Sequence, residues 1–342
     1  MRSIPITTQK NILIIGPAWV GDMVLAQSLF KLLKVKHPNC RIDVAAPPWT
    51  LPLLEHMPEV DNGICLPFNH GQFSLLERIK LGRSLRHKKY TQAIILTNSF
   101  KSAILPFFAN VPQRTSFLGE MRYGLINDVR PLDKLKLPRT VDRFVILGLP
   151  FGTSLPARLP EPSLISNRNF ALATLQKFGE FTTIDKVFGL CPGAEYGESK
   201  CWPAEYYAEV ASDALAKGFK VFLFGSSKDA SITQKINWLT GNKCLDLGGK
   251  TSLSEAINLI SLCDLVVSND SGLMHISSAL DKRLVAIYGS STPFHTPPMS
   301  RKAVVEYLNL ECSPCYKRVC PLSHLNCLKN IPSSRVISVL YK

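Results

Sequence analysis

Leu265-Val-Val-Ser-Asn-Asp-Ser-Gly-Leu-Met-His-Ile-Ser-Ser278 is the stretch whose reading decides the fold. Its short apolar run, Leu265 to Val267, has the length of a buried strand. The run breaks at Ser268-Asn-Asp-Ser-Gly272 and resumes with helical spacing through Ile276, Ala279 and Leu280. Asn, Asp and Ser are helix-start residues, and Gly272 lets backbone approach a ligand closely. The N–H groups and positive dipole end of that helix then face the carboxyl edge of a strand, a natural place for a phosphate. Taken alone, the same stretch also fits an ordinary strand-to-helix turn with a capped helix.

The neighbouring sequence repeats the pattern. Lys186-Val-Phe-Gly-Leu-Cys191 reads as a strand, followed by the long loop Pro192-Gly-Ala-Glu-Tyr-Gly-Glu-Ser-Lys-Cys-Trp-Pro203 and a helix from Ala204 to Lys217 with proline before its first turn. Lys220 to Phe224 is a strand running into Gly225-Ser-Ser-Lys-Asp229, and Leu284 to Tyr288 runs into Gly289-Ser-Ser-Thr-Pro293. The first half opens in the same way. Asn11-Ile-Leu-Ile-Ile-Gly16 is a strand, Pro17-Ala-Trp-Val-Gly-Asp22 a loop, and Met23 to Val35 a helix. Strands follow at Arg41–Ala46 and Gln92–Thr97, with helices at Thr50–His56 and Ala103–Ala109. The dinucleotide fingerprint G-x-G-x-x-G is absent, which argues against a nicotinamide or flavin cofactor.

Between these halves the proline-rich, aperiodic sequence from Leu149 to Glu161 has linker composition. The expected organisation is a Rossmann-like domain at 1–160, a linker at 161–185, a second Rossmann-like domain at 186–310, and a Cys-rich segment at 311–342. The fold class is α/β: two parallel-sheet domains facing across a cleft. The 342 residues are 46% hydrophobic and 19% charged, as in a globular chain. No apolar run approaches the ~18 residues that a spanning helix needs, and no secretory signal is visible at the N-terminus, so the expectation is a cytoplasmic protein. The net charge of +14 comes without a nucleic-acid motif or an aromatic-and-basic platform. It points to phosphorylated substrates and an anionic leaflet, with no nucleic-acid partner.

In the second half, the loops with Lys200, with Gly225 and Ser226, and with Asp270, Ser271, Gly272 and His275 together suit a nucleoside diphosphate. Lys200 offers it charge, and Ser271 with the backbone near Gly272 offers hydrogen bonds. His275 lies one turn into its helix, where a structural role and a phosphate contact are both open. Asp22 stands where the first loop enters its helix; it is either a helix cap or a carboxylate held ionised at the sheet edge as a base. A base opposite a bound diphosphate describes an inverting group transfer. Arg114-Thr-Ser-Phe-Leu-Gly-Glu-Met-Arg-Tyr-Gly124 lacks a clean period. It reads either as a surface loop or as an acceptor-binding loop, with Lys101, Arg114 and Arg122 as phosphate partners.

These motifs carry a resemblance. Gly16-Pro-Ala-Trp-Val-Gly-Asp-Met23, Asn98-Ser-Phe-Lys-Ser102, Gly119-Glu-Met-Arg-Tyr-Gly-Leu-Ile-Asn-Asp-Val-Arg130, Cys191 to Gly197 with Lys200-Cys-Trp-Pro203, and Asn269-Asp-Ser-Gly-Leu-Met-His275 are similar to those of the bacterial ADP-heptose lipopolysaccharide heptosyltransferases, glycosyltransferase family 9, which have a GT-B fold. The resemblance covers about Asn11 to Pro298. It implies that Asp22 is the catalytic carboxylate, Lys200 the donor-phosphate lysine, and Asp270, Ser271, Gly272 and His275 the donor signature, with Ser271 where many relatives have Thr. It further implies transfer of L-glycero-D-manno-heptose from ADP-heptose to the first heptose of the inner core on Kdo-lipid A. The implied setting is the inner face of a Gram-negative inner membrane, with no cofactor required. Transfer to another heptose, another nucleotide sugar, a sugar-nucleotide epimerase and a catalytically silent binder are the alternatives.

Cys312, Cys315, Cys320 and Cys327, with His324 among them, hold four of the ten cysteines. In a reducing compartment such a group favours metal over disulfides. A structural zinc is one reading there and not the favoured one, since the spacings match no standard zinc module closely, and no metal is expected for catalysis.

Overall fold

The computed structural model describes residues 9–68, 71–179 and 185–342. The chain divides into two compact units, Met1–Pro160 and Glu161–Lys342. The first holds β1 (Asn11–Ile15), β2 (Arg41–Ala46), β3 (Asn62–Cys65), β4 (Gln92–Ile95), β5 (Gln113–Phe117) and β6 (Asp128–Arg130). The second holds β7 (Val187–Cys191), β8 (Lys220–Leu223), β9 (Leu245–Asp246), β10 (Leu265–Asn269), β11 (Arg283–Ile287) and β12 (Ala303–Glu306).

Every paired strand is parallel, and the sheet orders are β3-β2-β1-β4-β5-β6 and β12-β11-β10-β7-β8-β9. Read from β9, the second sheet has the same winding as the first. This is the doubly wound order, in which connections diverge between the first and fourth strands of each sheet. Parallel strands are covered on both faces, so the central ones read as unbroken apolar runs. Ile12 to Ile15, Ala93 to Ile95 and the whole of β7 and β10 are buried. Register aligns the switch-point pairs, Ile14 opposite Ile94 and Val267 opposite Leu190. In the α/β class, then, the observed fold is the expected one.

Several elements differ from expectation. Three of the sheet-edge strands, Asn62–Cys65, Asp128–Arg130 and Ala303–Glu306, are short and partly polar, so no apolar run announces them. The Arg114–Gly124 segment, expected to be irregular, begins inside β5. Thr115 and Ser116 are buried there because their hydroxyls are bonded, to Asp128 Oδ2 at 2.8 Å and to Ile95 O at 2.7 Å. The stretch 161–185, expected as a linker, carries the helix Arg168–Gln176, capped by Asn167, whose side chain accepts the Phe170 N–H at 3.1 Å. The main-chain N–H of Asn167 donates to Asn258, which ties that helix to the helix Leu253–Ile260.

Residues 311–342 are integral to the second unit. Leu328, Ile331, Val336 and Leu340 join its core, and the helix Ser333–Leu340 packs on the helix Ala204–Ala216. The buried Trp202 donates its indole N–H to Ile331 O at 2.9 Å, which pins the loop after β7 to this segment.

Candidate active site

The order of the second sheet sets the loop after β7 beside the loop after β10, at the switch point where such folds bind ligands. Lys200 lies on the first loop and Asp270 on the second. Their Nζ and Oδ2 meet at 2.5 Å, with Lys200 partly exposed and Asp270 almost wholly buried. Ser291, on the loop after β11, donates its hydroxyl to the same carboxylate oxygen. The Asp270 N–H donates to Ile287 O. Three loops therefore converge on one carboxylate, which holds the lysine at the strand ends. Lys200 Nζ also stands 5.2 Å from the centre of the Tyr196 ring, and the Arg318 guanidinium 5.4 Å from it.

Asn269 fastens these loops together. Its amide donates to Pro192 O at 2.5 Å, and its carbonyl oxygen accepts from the Trp202 N–H and the Tyr207 hydroxyl. The loop after β7 is thereby fixed by the last residue of β10. Ser271 precedes the helix Gly272–Ala279 with extended backbone and makes no side-chain cap bond, so the first-turn N–H groups carry no side-chain cap. His275 is buried one turn in. Burial, and behind it the Lys200 charge, pushes its ring down to about 4 against the opposing pull of Asp270, so the ring is neutral at pH 7. A neutral imidazole can hydrogen-bond a phosphate without adding charge.

Gly225 and Ser226 form the neighbouring turn. The Ser226 N–H and hydroxyl both donate to Asp229 Oδ2, at 2.8 and 2.7 Å, so this hydroxyl braces its own loop. A Cβ on Gly193 would stand 2.2 Å from Asp229 Cγ; a glycine there lets the two loops close on each other. Lys228 pairs with Glu195 across the same gap.

In the first unit, Asp22 occupies the first turn of the helix Val20–Lys36, just past the carboxyl end of β1, and is half-buried. That position sits in the positive field of the helix start, which favours a carboxylate. Lys101 is half-exposed beyond β4 and donates to Gln72 O at 3.2 Å. Arg114 is half-buried, with Nε on Leu125 O and Nη1 on Val111 O. Arg122 departs furthest from its expected place. It is fully buried, and its two terminal nitrogens serve Thr97 O, Ser102 Oγ, Asn98 Oδ1, Ser116 Oγ and Phe117 O. A guanidinium so enclosed organises the loops after β4 and β5 and offers no face to a phosphate in solution.

Residues 78–326 match glycosyltransferase family 9 (heptosyltransferase). The chain belongs to that family. It is 46% identical over 307 residues to lipopolysaccharide heptosyltransferase 2 of Salmonella typhimurium, covering 86% of this chain and 87% of that one. The same identity holds over 304 residues with lipopolysaccharide heptosyltransferase 2 of Escherichia coli K12, again covering 86% and 87%. The solved structure of E. coli ADP-heptose lps heptosyltransferase II superposes with a TM-score of 0.85 at 41% identity, with 96% of both chains covered. This chain is accordingly a glycosyltransferase of the heptosyltransferase family.

At the strand ends of the second unit stand an oriented ammonium, a helix start without a side-chain cap and a neutral imidazole, groups that in general can meet an anion. Several members of this arrangement were beyond sequence reasoning. Ser291, Tyr196 and Arg318 lie on loops whose mutual approach depends on strand order, and Asn269 carried no assigned role within the quoted stretch. The polar loop Gly289-Ser-Ser-Thr-Pro293 at the end of an apolar run was the available signal for Ser291.

Cys312, Cys315 and Cys320 are half-buried, Cys327 is buried, and all four are free thiols. Cys327 is pushed up to about 11, by burial first and then by the neighbouring Cys312, Cys315 and Cys320. Backbone N–H groups, that of Leu325 foremost, lower the Cys320 thiol. Among the described residues no group of three or more His, Cys, Asp or Glu side chains is placed to hold a metal ion, so the zinc reading finds no ligand set here.

Proposed function

We propose that this enzyme transfers L-glycero-D-manno-heptose from ADP-heptose to the first heptose of the lipopolysaccharide inner core, as a heptosyltransferase II. The observation that carries the reading is the 46% identity, over most of both chains, to relatives named lipopolysaccharide heptosyltransferase 2. The Lys200–Asp270 pair at the second unit's switch point supports a diphosphate donor there.

In the proposed step, the acceptor hydroxyl oxygen bonds to the anomeric carbon as the bond from that carbon to the phosphate oxygen breaks. ADP leaves with the electron pair, and the Asp22 carboxylate takes the hydroxyl proton. Attack from the face opposite the leaving group inverts the anomeric centre. Lys200, the N–H groups that begin the helix Gly272–Ala279 and the ring of His275 meet the charge that builds on the diphosphate. Lys101 and Arg114 remain the candidates for acceptor phosphates, and Gly225 and Ser226 shape the donor pocket through Asp229. The setting that suits such an acceptor is the cytoplasmic face of the inner membrane of a Gram-negative cell, reached peripherally. Among the described residues no helix is long and apolar enough to cross a membrane.

The test is incubation with ADP-heptose and purified mono-heptosylated Kdo-lipid A, followed by mass measurement of the lipid. A gain of one heptose is expected. Transfer only to heptose-free Kdo-lipid A, or only to a di-heptosylated core, would reassign the acceptor to the first or third heptose step.

A further inference from the structure

The loops after β3, β4 and β5 leave the same edge of the first sheet, the edge at which Asp22 also lies, because all its strands are parallel. Three contacts bind them into one surface. The rings of Phe73 and Phe100 stack at 6.3 Å, Lys101 reaches Gln72 O, and the Phe100 N–H donates to Glu120 Oε2 at 2.6 Å. On that surface Phe73, Leu76, Phe100, Leu118, Met121 and Tyr123 are exposed, Leu76 to 76%, Met121 to 80% and Tyr123 to 70%. Large apolar side chains gathered in this way mark an interaction site rather than scattered surface residues. Glu120 and Met121 both have left-handed backbone, φ 41° and 48°, which non-glycine residues rarely adopt. The loop thus holds an uncommon conformation at the point where the methionine is turned outward.

Charge borders the apolar tip. In the helix Leu75–Ser84, Leu76, Lys80 and Arg83 fall at i, i+4 and i+7, on one face, while Arg78 and Gly82 are buried on the other. Arg86 and Lys89 follow, also exposed, and Glu77 is the single acidic residue from Leu75 to Lys89, against exposed Lys80, Arg83, Arg86 and Lys89. Apolar side chains ahead of a basic helix are complementary to an interface with anionic headgroups above hydrocarbon.

We infer that this edge of the first unit docks on an anionic phospholipid surface, with Leu76 and Met121 entering the acyl boundary and Lys80 and Arg83 among the headgroups. The inference rests on the proposed lipid-anchored acceptor for its place in the reaction, since it brings the Asp22 edge to the membrane that carries that acceptor. Its test contains no acceptor. The full chain is sedimented with vesicles of phosphatidylethanolamine and phosphatidylglycerol, and separately with phosphatidylcholine vesicles, at physiological salt. Binding to the anionic vesicles and little to the neutral ones is expected. Lys80→Glu with Arg83→Glu, and separately Leu76→Ser with Met121→Ser, should each weaken binding about tenfold or more, with unchanged thermal melts because all four side chains are exposed. Failure of the unaltered chain to bind anionic vesicles overturns the inference, as does binding indifferent to both pairs. Self-association abolished by the apolar pair, without vesicle binding, assigns the patch to a second copy and overturns it too. Vesicle binding with no heptosyl transfer would sink the proposed function and leave this surface standing.

Discussion

Lys200 and Asp270 are seventy positions apart in the chain and meet at 2.5 Å, where the loops after β7 and β10 come together. The carboxylate is the more buried partner, so each member depends unequally on the other. Removing the lysine leaves a buried charge without its counter-ion, which for well-buried pairs costs about 3 kcal/mol or more. Lys200→Ala is therefore expected to lower both donor affinity, by about tenfold or more, and the melting temperature. Adding Asp270→Ala to that variant should restore much of the stability and none of the affinity. Titration calorimetry with ADP and thermal melts of the two single variants and the double variant separate the effects. Unchanged ADP affinity in Lys200→Ala would remove this lysine from the donor site.

Asp22→Asn keeps the shape of the helix start and deletes the proposed proton acceptor. Transfer should fall by roughly 10²–10⁴, while the affinity for ADP stays within a factor of about two of the parent. Rates of heptose transfer read beside ADP binding decide this, and a variant that transfers at full rate would dismiss the proposed base.

His275 links pH to stability. Its ring is held near 4 in the folded chain and returns to about 6.5 on unfolding. The unfolded state then binds the extra proton first as pH drops, so stability is full above 6.5, declines between 6.5 and about 4, and levels below that. The swing is about 3 kcal/mol at most, at ~1.4 kcal/mol per pH unit. Urea midpoints measured across this window should slope for the parent and flatten for His275→Gln. Equal slopes in both would show that other groups govern the acid limb.

Arg122→Met tests the structural role of that guanidinium. Loss of its donors strands the buried Phe117 carbonyl oxygen, at about 1–3 kcal/mol for a group left unsatisfied. A lower melting temperature is expected, together with faster proteolysis near residues 98–102 and 118–124. A variant that melts like the parent yet has weaker acceptor binding would restore Arg122 to the acceptor site.

The central architecture was legible because it rests on local sequence. The strands Asn11–Ile15, Val187–Cys191 and Leu265–Asn269 are built on the apolar runs Ile12–Ile15, Val187–Cys191 and Leu265–Val267, and the helices after them begin at polar or proline breaks. The edge strands escaped notice because a half-covered strand of three or four residues leaves no periodic signal, as in Asp128-Val-Arg130. The same logic applies to side chains. Lys200, Asp270, Ser271 and His275 stood in recognisable loops, but which group would face which depended on strand order. Arg122 illustrates the limit, since an arginine in a polar loop reads the same whether it faces solvent or, as here, is fully buried against acceptors of its own chain.

The bracing of the Lys200 loop by residues far downstream also bears on synthesis. Trp202 is tied to Ile331, the Ser199 N–H donates to Arg318 O, and the Tyr316 N–H donates to Ser290 O. A nascent chain that has completed every strand through Glu306 still lacks these ties. On the ribosome, then, the loop that carries Lys200 would be braced only after Ile331 has emerged, and a fragment ending at Glu306 would carry the strands without that brace.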